Sequence, residues 1–324
     1  MKISKALAVG MAGIMIAAGG MALAAGKYPA KPVKLVVPYP PGGGIDPTAR
    51  IFALALSEEL GQPIVIQNTG GASGQIGTEQ VARSSPDGYT LLFASAAPNA
   101  ILPAVVPKLP YSNSDFAPIS MVGSADYVLV ANASLPANNI QQLLQLIKTD
   151  PEKVQTFASS GPLSGPHLAG ELFNILSKGK MSHIPYRGNG PAVSAVLSGE
   201  VQMTFASVPA VIQHIKDGRL KAFGVSGKKR SPLLPDAPAL AETMPGLEVS
   251  QWYGLMAPAG TPPDIIARIA AAARKTLSTP KVRDQLAMHG IEPVSMSPAE
   301  FEKFIDADTQ KYKDLVQKAH ISAD

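Results

Sequence analysis

Short apolar runs of strand length alternate along the chain with longer segments whose apolar residues recur at helical spacing. In the first part of the chain, strands are predicted at residues 34–37, 64–67 and 90–94, and helices at residues 47–60 and 77–84. A helix between successive strands is typical of βαβ units, in which the strands pair in parallel. The pattern therefore predicts an α/β fold.

The same alternation continues through the middle of the chain and changes in its last third. The predicted middle elements are helix 140–149, strand 155–158, helix 166–177, strand 183–185, helix 191–197, strand 201–206, helix 208–216 and strand 220–225. The last third is predicted to hold a strand and then three helices, at residues 250–257, 262–277, 281–289 and 298–318. The final helix opens with Ser297 and Glu300, the spacing of a capping box.

Two blocks of alternating strands and helices, followed by a helical tail, predict a two-lobed clamshell in which each lobe is a mostly parallel sheet flanked by helices. The extended segments 127–131 and 220–226 are the candidates for the two chain crossings between the lobes. Lobe 1 would then comprise residues 25–126 and 227–324. Lobe 2 would comprise residues 127–226, including the two hinge strands. In such a topology a ligand binds between the facing strand ends.

The first 24 residues have the features of a secretory signal peptide. Lys2 and Lys5 precede an apolar stretch over residues 7–23, and Ala22-Leu23-Ala24 is a small-x-small cleavage pattern. An uncleaved membrane anchor is the alternative, but glycines interrupt the stretch, which favours cleavage. The chain has no cysteine, so it lacks both disulfides and the thiol of a bacterial lipoprotein anchor. We expect the mature protein to be free in the periplasm.

The charge pattern argues against a nucleic-acid partner. The formal net charge is +4, and the basic residues are scattered except for the cluster at residues 228–230. That cluster follows a predicted strand, and no motif that reads DNA or RNA accompanies it. We therefore interpret it as a solvated loop.

The residue patterns also argue against an enzyme. Residues 71–75, Gly-Ala-Ser-Gly-Gln, lack the last glycine of a nucleophile elbow, and no P-loop or dinucleotide-binding pattern occurs. With no cysteine and five dispersed histidines, we expect no catalytic residues, no metal and no cofactor. A Ser164–His167 pair could imitate a hydrolase, but the spacing suggests no acidic third member. A periplasmic hydrolase therefore remains the less favoured alternative.

Glycine and small hydroxyl residues are concentrated in the loops that lead into four predicted helices, at residues 39–46, 159–166, 186–191 and 207–209. A helix N-terminus offers free N–H groups and about half a positive charge, and glycine lets an oxygen approach the backbone closely. Three or four charge-assisted hydrogen bonds of about 1.5–3 kcal/mol each, with some apolar burial, would support micromolar binding. Any single loop is better explained as an ordinary, well-capped turn. Together the loops predict a site for a small carboxylate.

Several residues in these loops have a local role as an alternative to ligand binding. Asp46 is a good N-cap for a helix that begins at Pro47, and Arg50, one turn later, is its expected ion-pair partner. His167 either donates to a ligand or bonds locally at its helix start. Arg187 either faces the cleft or is solvated. For residues 208–216 the predicted cap is Ser207.

Several short motifs follow one another in a specific order along the mature chain. They are Tyr39 with Pro41-Gly42-Gly43 and Asp46, Asn68 with Gly74 and Gly77, residues 86–92, 109–111, 115–119, 167–169, 171–173, 185–188, 234–236, 252–255 and 257–262, and Glu300-Phe301. In this order and spacing they resemble the Bug family, the extracytoplasmic receptors of tripartite tricarboxylate transporters. The resemblance covers almost the whole mature length.

The resemblance implies a type II periplasmic-binding-protein fold. It also implies a receptor that delivers its ligand to the permease subunits of such a transporter, and we expect this receptor to be a monomer. In similar proteins one ligand carboxylate is held mainly by main-chain groups and ordered waters of the first glycine-rich loop and of the loop that here is Ser160 to Gly165. The sequence departs from the family at residues 95–99, Ser-Ala-Ala-Pro-Asn, where relatives carry a Thr/Ser-Gly-x-His-type segment. Alternatively, the ligand-loaded receptor signals to the ectodomain of a membrane sensor protein.

These observations together predict a ligand site, without identifying the carboxylate. Its predicted residues are Tyr39, Gly42, Gly43, Gly44, Ile45, Asp46, Ser95, Asn99, Ser160, Gly161, Ser164, Gly165, His167, Tyr186, Gly188 and Ser207.

Overall fold

The computed structural model describes residues 28–41 and 45–319, so that Gly42, Gly43, Gly44 and the predicted signal peptide lie outside the described residues. The strands are β1 (Val33–Val37), β2 (Ile64–Asn68), β3 (Thr90–Ser95), β4 (Phe116–Asn132), β5 (Thr156–Ser159), β6 (Ser182–Pro185), β7 (Met203–Ser207), β8 (Leu220–Val225), β9 (Ser250–Pro258) and β10 (Glu292–Pro293). The helices are α1 (Ile45–Leu60), α2 (Gln75–Ala82), α3 (Leu102–Val105), α4 (Ile140–Thr149), α5 (Gly165–Ser177), α6 (Asn189–Ser198), α7 (Val208–Lys216), α8 (Pro263–Ser278), α9 (Pro280–Met288) and α10 (Pro298–Ala319). None of these helices combines the length and apolar content needed to cross a membrane.

The described strands form one curled, mixed sheet in the order β2-β1-β3-β9-β4-β7-β5-β6, with β8 and β10 paired to β4. The outer strands are parallel, β1 with β2 and β3, and β5 with β6 and β7. The pairs around β4 and β9 are antiparallel. Helices pack against the sheet on both faces, and the predicted α/β fold is confirmed.

Strand β4 is much longer than predicted and runs through both halves of the sheet. Its first part pairs with β9, and its second part pairs with β7 and β8. The sequence pattern predicted only residues 127–131, because Pro118 and Gly123 interrupt the earlier part. Proline and glycine are tolerated in a strand at irregularities, and the register with β9 shifts between Pro118 and Ser120 and between Met121 and Gly123.

The other predicted elements agree with the structure to within two residues, and α4, α7 and β8 have the predicted bounds. The capping box of α10 is confirmed, because Ser297 N–H donates to Glu300 Oε2 at 2.8 Å and Glu300 N–H donates to Ser297 Oγ at 3.3 Å. The cap prediction for Asp46 is wrong, because helix α1 begins at Ile45 and Asp46 lies in its first turn. Ser207 occupies the predicted N-cap position of α7, but its side chain makes no cap bond there.

Three apolar clusters hold the helices against the two faces of the sheet. One packs α1, α8 and α9 against the first half of the sheet, and another packs α6 and α7 against the second half. The third includes Phe157 of β5, Trp252 of β9 and Phe301 of α10, so it extends across both halves. Trp252 Nε1 donates to the buried Asp308 at 2.8 Å, and Lys311 Nζ lies 2.5 Å from that carboxylate. Helix α10 is therefore fixed to the middle of the sheet.

Candidate functional site

Strand ends from the two halves of the sheet meet around the middle of β4. Ser95, the last residue of β3, pairs with Tyr253, which pairs with Gly123 of β4. Four positions further along β4, Tyr127 pairs with Ser207, the last residue of β7. At about 3.3 Å per residue the two strand ends are about 13 Å apart along β4. Because β3 and β7 run in opposite directions, their following loops face each other here, and we call residues 123–127 and 250–253 the crossing.

Tyr39 and Ser95 come together on the first side of the crossing. The Tyr39 hydroxyl donates to the Ser73 carbonyl at 3.3 Å, and Ser95 Oγ donates to the Tyr39 hydroxyl oxygen at 3.5 Å. Burial raises the pKa of Tyr39 to about 12, against a smaller lowering by the hydrogen bond from Ser95. The phenol therefore remains a neutral hydrogen-bond donor at physiological pH.

The Asp46 carboxylate binds to groups of its own half of the molecule. One oxygen accepts from Asn68 Nδ2 and the other from Arg50 Nε, both at 2.9 Å. The predicted ion pair with Arg50 is thus confirmed. Asn68 Nδ2 also lies 3.1 Å from the Tyr39 carbonyl, so this network links α1 to the loop after β1. Ile45 is buried at the start of α1, and the predicted contacts of Gly42, Gly43 and Gly44 lie outside the described residues.

Asn99 places a buried amide group beside Ser95. It lies in a π-helical turn, Ala97–Ile101, that follows β3, and its Oδ1 accepts from Ser95 N–H at 3.4 Å. Asn99 is fully buried, and its Nδ2 has no hydrogen-bond partner among the described residues. A buried donor without an acceptor costs about 1–3 kcal/mol. A ligand oxygen is one group that would satisfy it.

The loop between β5 and α5 is held in shape by its own hydroxyl groups. Ser164 Oγ donates to the Gly161 carbonyl at 2.7 Å and caps α5 by accepting the His167 N–H at 3.4 Å. Gly161 has φ of 127°, which favours glycine, and its N–H donates to Ser159 Oγ at 3.1 Å. The structure thus brings together the predicted residues Ser160, Gly161, Ser164 and Gly165 in one turn at a helix N-terminus.

His167 bonds within this loop. Its Nδ1 accepts the Leu163 N–H at 3.0 Å, and its Nε2 lies 3.7 Å from Glu171 Oε1. The ring stacks on that of His183 with a centroid separation of 3.8 Å and an interplanar angle of 17°. Of the two roles that the sequence left open, these contacts favour the local one.

His183 is a site residue that the sequence analysis did not single out. Its Nε2 lies 2.6 Å from Ser159 Oγ, at the carboxyl end of β5. The pKa of His183 is lowered to about 4, chiefly by burial and then by the neighbouring His167, with Glu171 opposing both. The ring is therefore neutral near pH 7. A histidine in a predicted strand next to a predicted loop was the available signal, but the sequence could not show the stacking.

The remaining predicted residues lie at the starts of α6 and α7. Asn189 Nδ2 donates to Ser207 Oγ at 3.2 Å, and Asn189 Oδ1 is buried without a partner among the described residues. Gly188 precedes α6 with φ of 111°. The Tyr186 hydroxyl is not brought to this group, because it donates to the exposed Glu200 at 2.8 Å.

Tyr127 and Gln251 at the crossing were also missed by the sequence analysis as site residues. The Tyr127 hydroxyl donates to Gln251 Oε1 at 2.8 Å, and its ring covers Gly165 so closely that a Cβ there would overlap it. Tyr127 N–H donates to Ser226 Oγ, which donates to the Val249 carbonyl at 2.5 Å. A glutamine beside Trp252 in an apolar strand was the signal available for Gln251.

Apart from Asp126, whose pKa burial raises to about 6, the groups gathered around the crossing are neutral. They are main-chain N–H groups at the starts of α5 and α6, the Tyr39 and Ser95 hydroxyls, and the amides of Asn99 and Gln251. Arg187 is exposed and Arg50 is paired with Asp46. Oriented neutral donors at helix N-termini favour a small anion such as a carboxylate. Within residues 28–41 and 45–319, no three metal-binding side chains lie close enough to form a metal site.

Comparison with known proteins places the chain among solute receptors. A family model described as the tripartite tricarboxylate transporter family receptor matches residues 48–321. Protein BugT of Bordetella pertussis (strain Tohama I) is 38% identical over 323 residues, which cover 98% of each chain.

Three solved structures are similar over most of the chain. The periplasmic binding protein BugD is 31% identical with a TM-score of 0.81, covering 91% of this chain and 99% of its own. Rpa4515 of R. palustris, solved with adipate, is 29% identical with a TM-score of 0.83, covering 91% and 99%. MatC of Rhodopseudomonas palustris, solved with malate, is 28% identical with a TM-score of 0.78, covering 89% and 100%.

Proposed function

The chain belongs to the Bug family of tripartite tricarboxylate transporter receptors, and from that premise we propose that it captures a small carboxylate at the crossing and delivers it to a membrane permease. The observation that carries the proposal is the convergence of neutral donors from both halves of the sheet at facing strand ends. Relatives solved with adipate and with malate support a carboxylate as the ligand class.

The proposed ligand contacts follow from the position of each donor. On the first side they are Tyr39, Ser95 and the unpaired Asn99 amide. On the second side they are main-chain groups of the turn before α5 and the start of α6. Because charge-assisted hydrogen bonds contribute about 1.5–3 kcal/mol each, three or four of them support micromolar affinity without an arginine.

We propose that the two lobes divide at residues 126/127 and 226/227 and close on the ligand. Support comes from β4, which pairs with β9 before this point and with β7 and β8 after it. Further support comes from Ser226, which bonds both to Tyr127 and to the Val249 carbonyl. The lobes would then move about a short segment at which both chain connections lie side by side.

We place the mature protein in the periplasm, after cleavage of residues 1–24. The relative BugD is a periplasmic binding protein, and the lysines and apolar stretch of the N-terminus are typical of a signal peptide. Delivery to a sensor ectodomain remains the second candidate use. Loss of uptake on deletion of the gene supports transport, whereas unchanged uptake with binding to a sensor domain supports signalling.

We propose that the protein has no catalytic activity. In the Ser164–His167 pair, the serine oxygen accepts the histidine main-chain N–H, and the ring nitrogen Nδ1 accepts from Leu163. This is the geometry of a helix cap and differs from that of a nucleophile and its base. The binding proteins among its relatives support the same conclusion.

A thermal-shift screen of the mature protein against a panel of mono-, di- and tricarboxylates tests the proposal. A ligand that binds the native state at 100 times its Kd stabilises it by about 2.7 kcal/mol and raises the melting midpoint. The methyl ester of each active acid is the matched control and should not raise the midpoint. If no acid shifts the midpoint while a model ester is hydrolysed, the receptor proposal is wrong.

A further inference from the structure

Two histidine rings lie stacked beneath the loop that joins β5 to α5. The rings of His167 and His183 are 3.8 Å apart and nearly parallel, and Phe157 stacks with both at 6.4 and 5.2 Å. His167 belongs to α5 and His183 to β6, so the stack joins the helix that follows the loop to the strand that pairs with β5. An aromatic stack of this kind fixes the position of both rings.

Each ring holds a different main-chain group of the loop. His167 Nδ1 accepts the Leu163 N–H at 3.0 Å. His183 Nε2 is bonded to Ser159 Oγ at 2.6 Å, and the same oxygen accepts the Gly161 N–H at 3.1 Å. The shape of the loop between Gly161 and Leu163 therefore depends on both imidazoles.

The bond that His167 accepts requires a neutral ring, whereas His183 Nε2 can accept from Ser159 Oγ or donate to it, because that hydroxyl also lies 3.0 Å from the Gly161 carbonyl. A main-chain N–H is always a donor, so Nδ1 of His167 must carry no proton, and its single proton lies on Nε2, facing Glu171 at 3.7 Å. Protonation of Nδ1 would set two donors against each other. The charged groups that act on His183 are the facing ring of His167 and the carboxylate of Glu171, both on α5. Two imidazolium rings in stacking contact repel each other.

We propose that His167 and His183 are positioning residues that hold the carboxylate-binding loop in its receptive shape, and that protonation of the stacked pair disrupts this shape. This inference rests on the proposed function, because the loop is the second-lobe side of the carboxylate site. Acidification should therefore change the Gly161–Leu163 turn first and ligand affinity as a consequence. Burial, which holds the pKa of His183 at about 4, places this change well below neutral pH.

The first test needs no ligand. The mature protein is labelled with ¹⁵N in histidine and glycine and with amide ¹⁵N in leucine, and NMR spectra are recorded from pH 7.5 to 4. We expect His167 to show an unprotonated Nδ1 at pH 7.5, and the Gly161 and Leu163 amide signals to move together with the His183 ring on acidification. Amide signals that do not follow the ring titration would overturn the proposal, whether or not any carboxylate binds.

The second test separates the hydrogen bond from the stack. His183→Gln can keep a polar group near Nε2 but does not titrate, whereas His183→Phe keeps a stacked ring but loses the bond to Ser159. With the acid of largest thermal shift as probe, we expect His183→Gln to bind within about twofold of the parent at pH 7.5 and His183→Phe about tenfold more weakly. His214→Gln, on α7, is the matched control and should bind like the parent.

The pH profile distinguishes positioning from a purely structural role. The ligand affinity of the parent should fall on acidification more steeply than protonation of the probe acid alone predicts. The affinity of His183→Gln should fall only as much as protonation of the probe acid predicts. Equal weakening of both His183 variants at pH 7.5, with parallel pH profiles, would contradict the proposal. If no acid binds, the receptor function fails, while the NMR experiment still decides the role of the histidine pair.

Discussion

At the scale of single residues, the proposed site contains polar groups that are buried while still available for bonding. Asn99 Nδ2 on one side and Asn189 Oδ1 on the other are buried without partners among the described residues. Most buried polar groups in proteins are paired, so such atoms mark places where a ligand or water completes the structure. Asp46, by contrast, is held by Asn68 and Arg50, which keeps its negative charge away from an anionic ligand.

Asn99→Asp is expected to abolish carboxylate binding, with at least a hundredfold loss of affinity for the acid found by the thermal-shift screen. The substitution keeps the size of the side chain but replaces the amide donor by a group that repels a carboxylate when ionised. Isothermal titration calorimetry at pH 7.5 measures the loss. Asn138→Asp, at an exposed position, is the control, and equal affinity of Asn99→Asp and the parent would remove Asn99 from the site.

Asp126 and His183 are expected to give opposite dependences of stability on pH. Burial raises the pKa of Asp126 from 3.8 to about 6, with a further contribution from Glu292. The folded state then binds more protons than the unfolded state between these values, and stability falls as pH rises. The pKa of His183 is lowered from 6.5 to about 4, so the unfolded state binds more protons and stability falls as pH drops.

Single substitutions separate the two effects in urea titrations between pH 4 and 7.5. Asp126→Asn should raise the unfolding free energy at pH 7.5 by about 1–3 kcal/mol and have little effect near pH 4. His183→Gln should remove the loss of stability between pH 6.5 and 4. A stability profile that keeps its shape in both variants would show that neither group governs it.

At the scale of elements, the alternation of strands and helices was largely readable from the sequence, because most of the longer helices have an apolar period and several are followed by glycine or proline, whereas the short helix α3 was not predicted. Strand β4 was not, since Pro118 and Gly123 hide its first half and only pairing with β9 makes it a strand. The loops of the proposed site were predicted from their glycine and serine content. The stacking of His183 on His167, and the bond from Tyr127 to Gln251, depend on tertiary contacts that no local pattern contains.

A buried hydrogen bond contributes to the anchoring of helix α10, and Trp252→Phe should lower the free energy of unfolding by about 1.5–3 kcal/mol. The phenyl ring would still fill most of the space, but the buried Asp308 carboxylate would lose its bond from the indole N–H at 2.8 Å, and bonds to charged groups have this magnitude. Urea denaturation measures the change. Asp306→Asn, exposed on the same helix, should leave stability unchanged, and an equally stable Trp252→Phe variant would refute the anchoring role.

At the scale of the whole molecule, the two halves share a strand and an apolar cluster. That cluster contains Phe157 from one half and Trp252 from the other, and β4 contributes backbone hydrogen bonds to both. Neither half can therefore lose its packing without exposing apolar surface of the other. Motion about the crossing is compatible with this arrangement, whereas independent unfolding is not.

We therefore expect a single cooperative unfolding transition. In differential scanning calorimetry at pH 7.5, the calorimetric and van't Hoff enthalpies should agree, as two-state unfolding requires. A saturating carboxylate ligand should move the whole transition to higher temperature without splitting it. Two separate transitions, with only one of them moved by ligand, would contradict the shared-core interpretation.

The position of β9 in the sheet also governs the order in which the molecule can be assembled. This strand lies between β3 and β4, yet it is made long after both, since a ribosome synthesises the chain from its N-terminus. Until β9 arrives, the edges of β3 and of the first part of β4 are open, and open edges invite pairing with other chains. A nascent chain stopped before residue 250 thus presents two unpaired strand edges, and protection from aggregation during synthesis matters most in this interval.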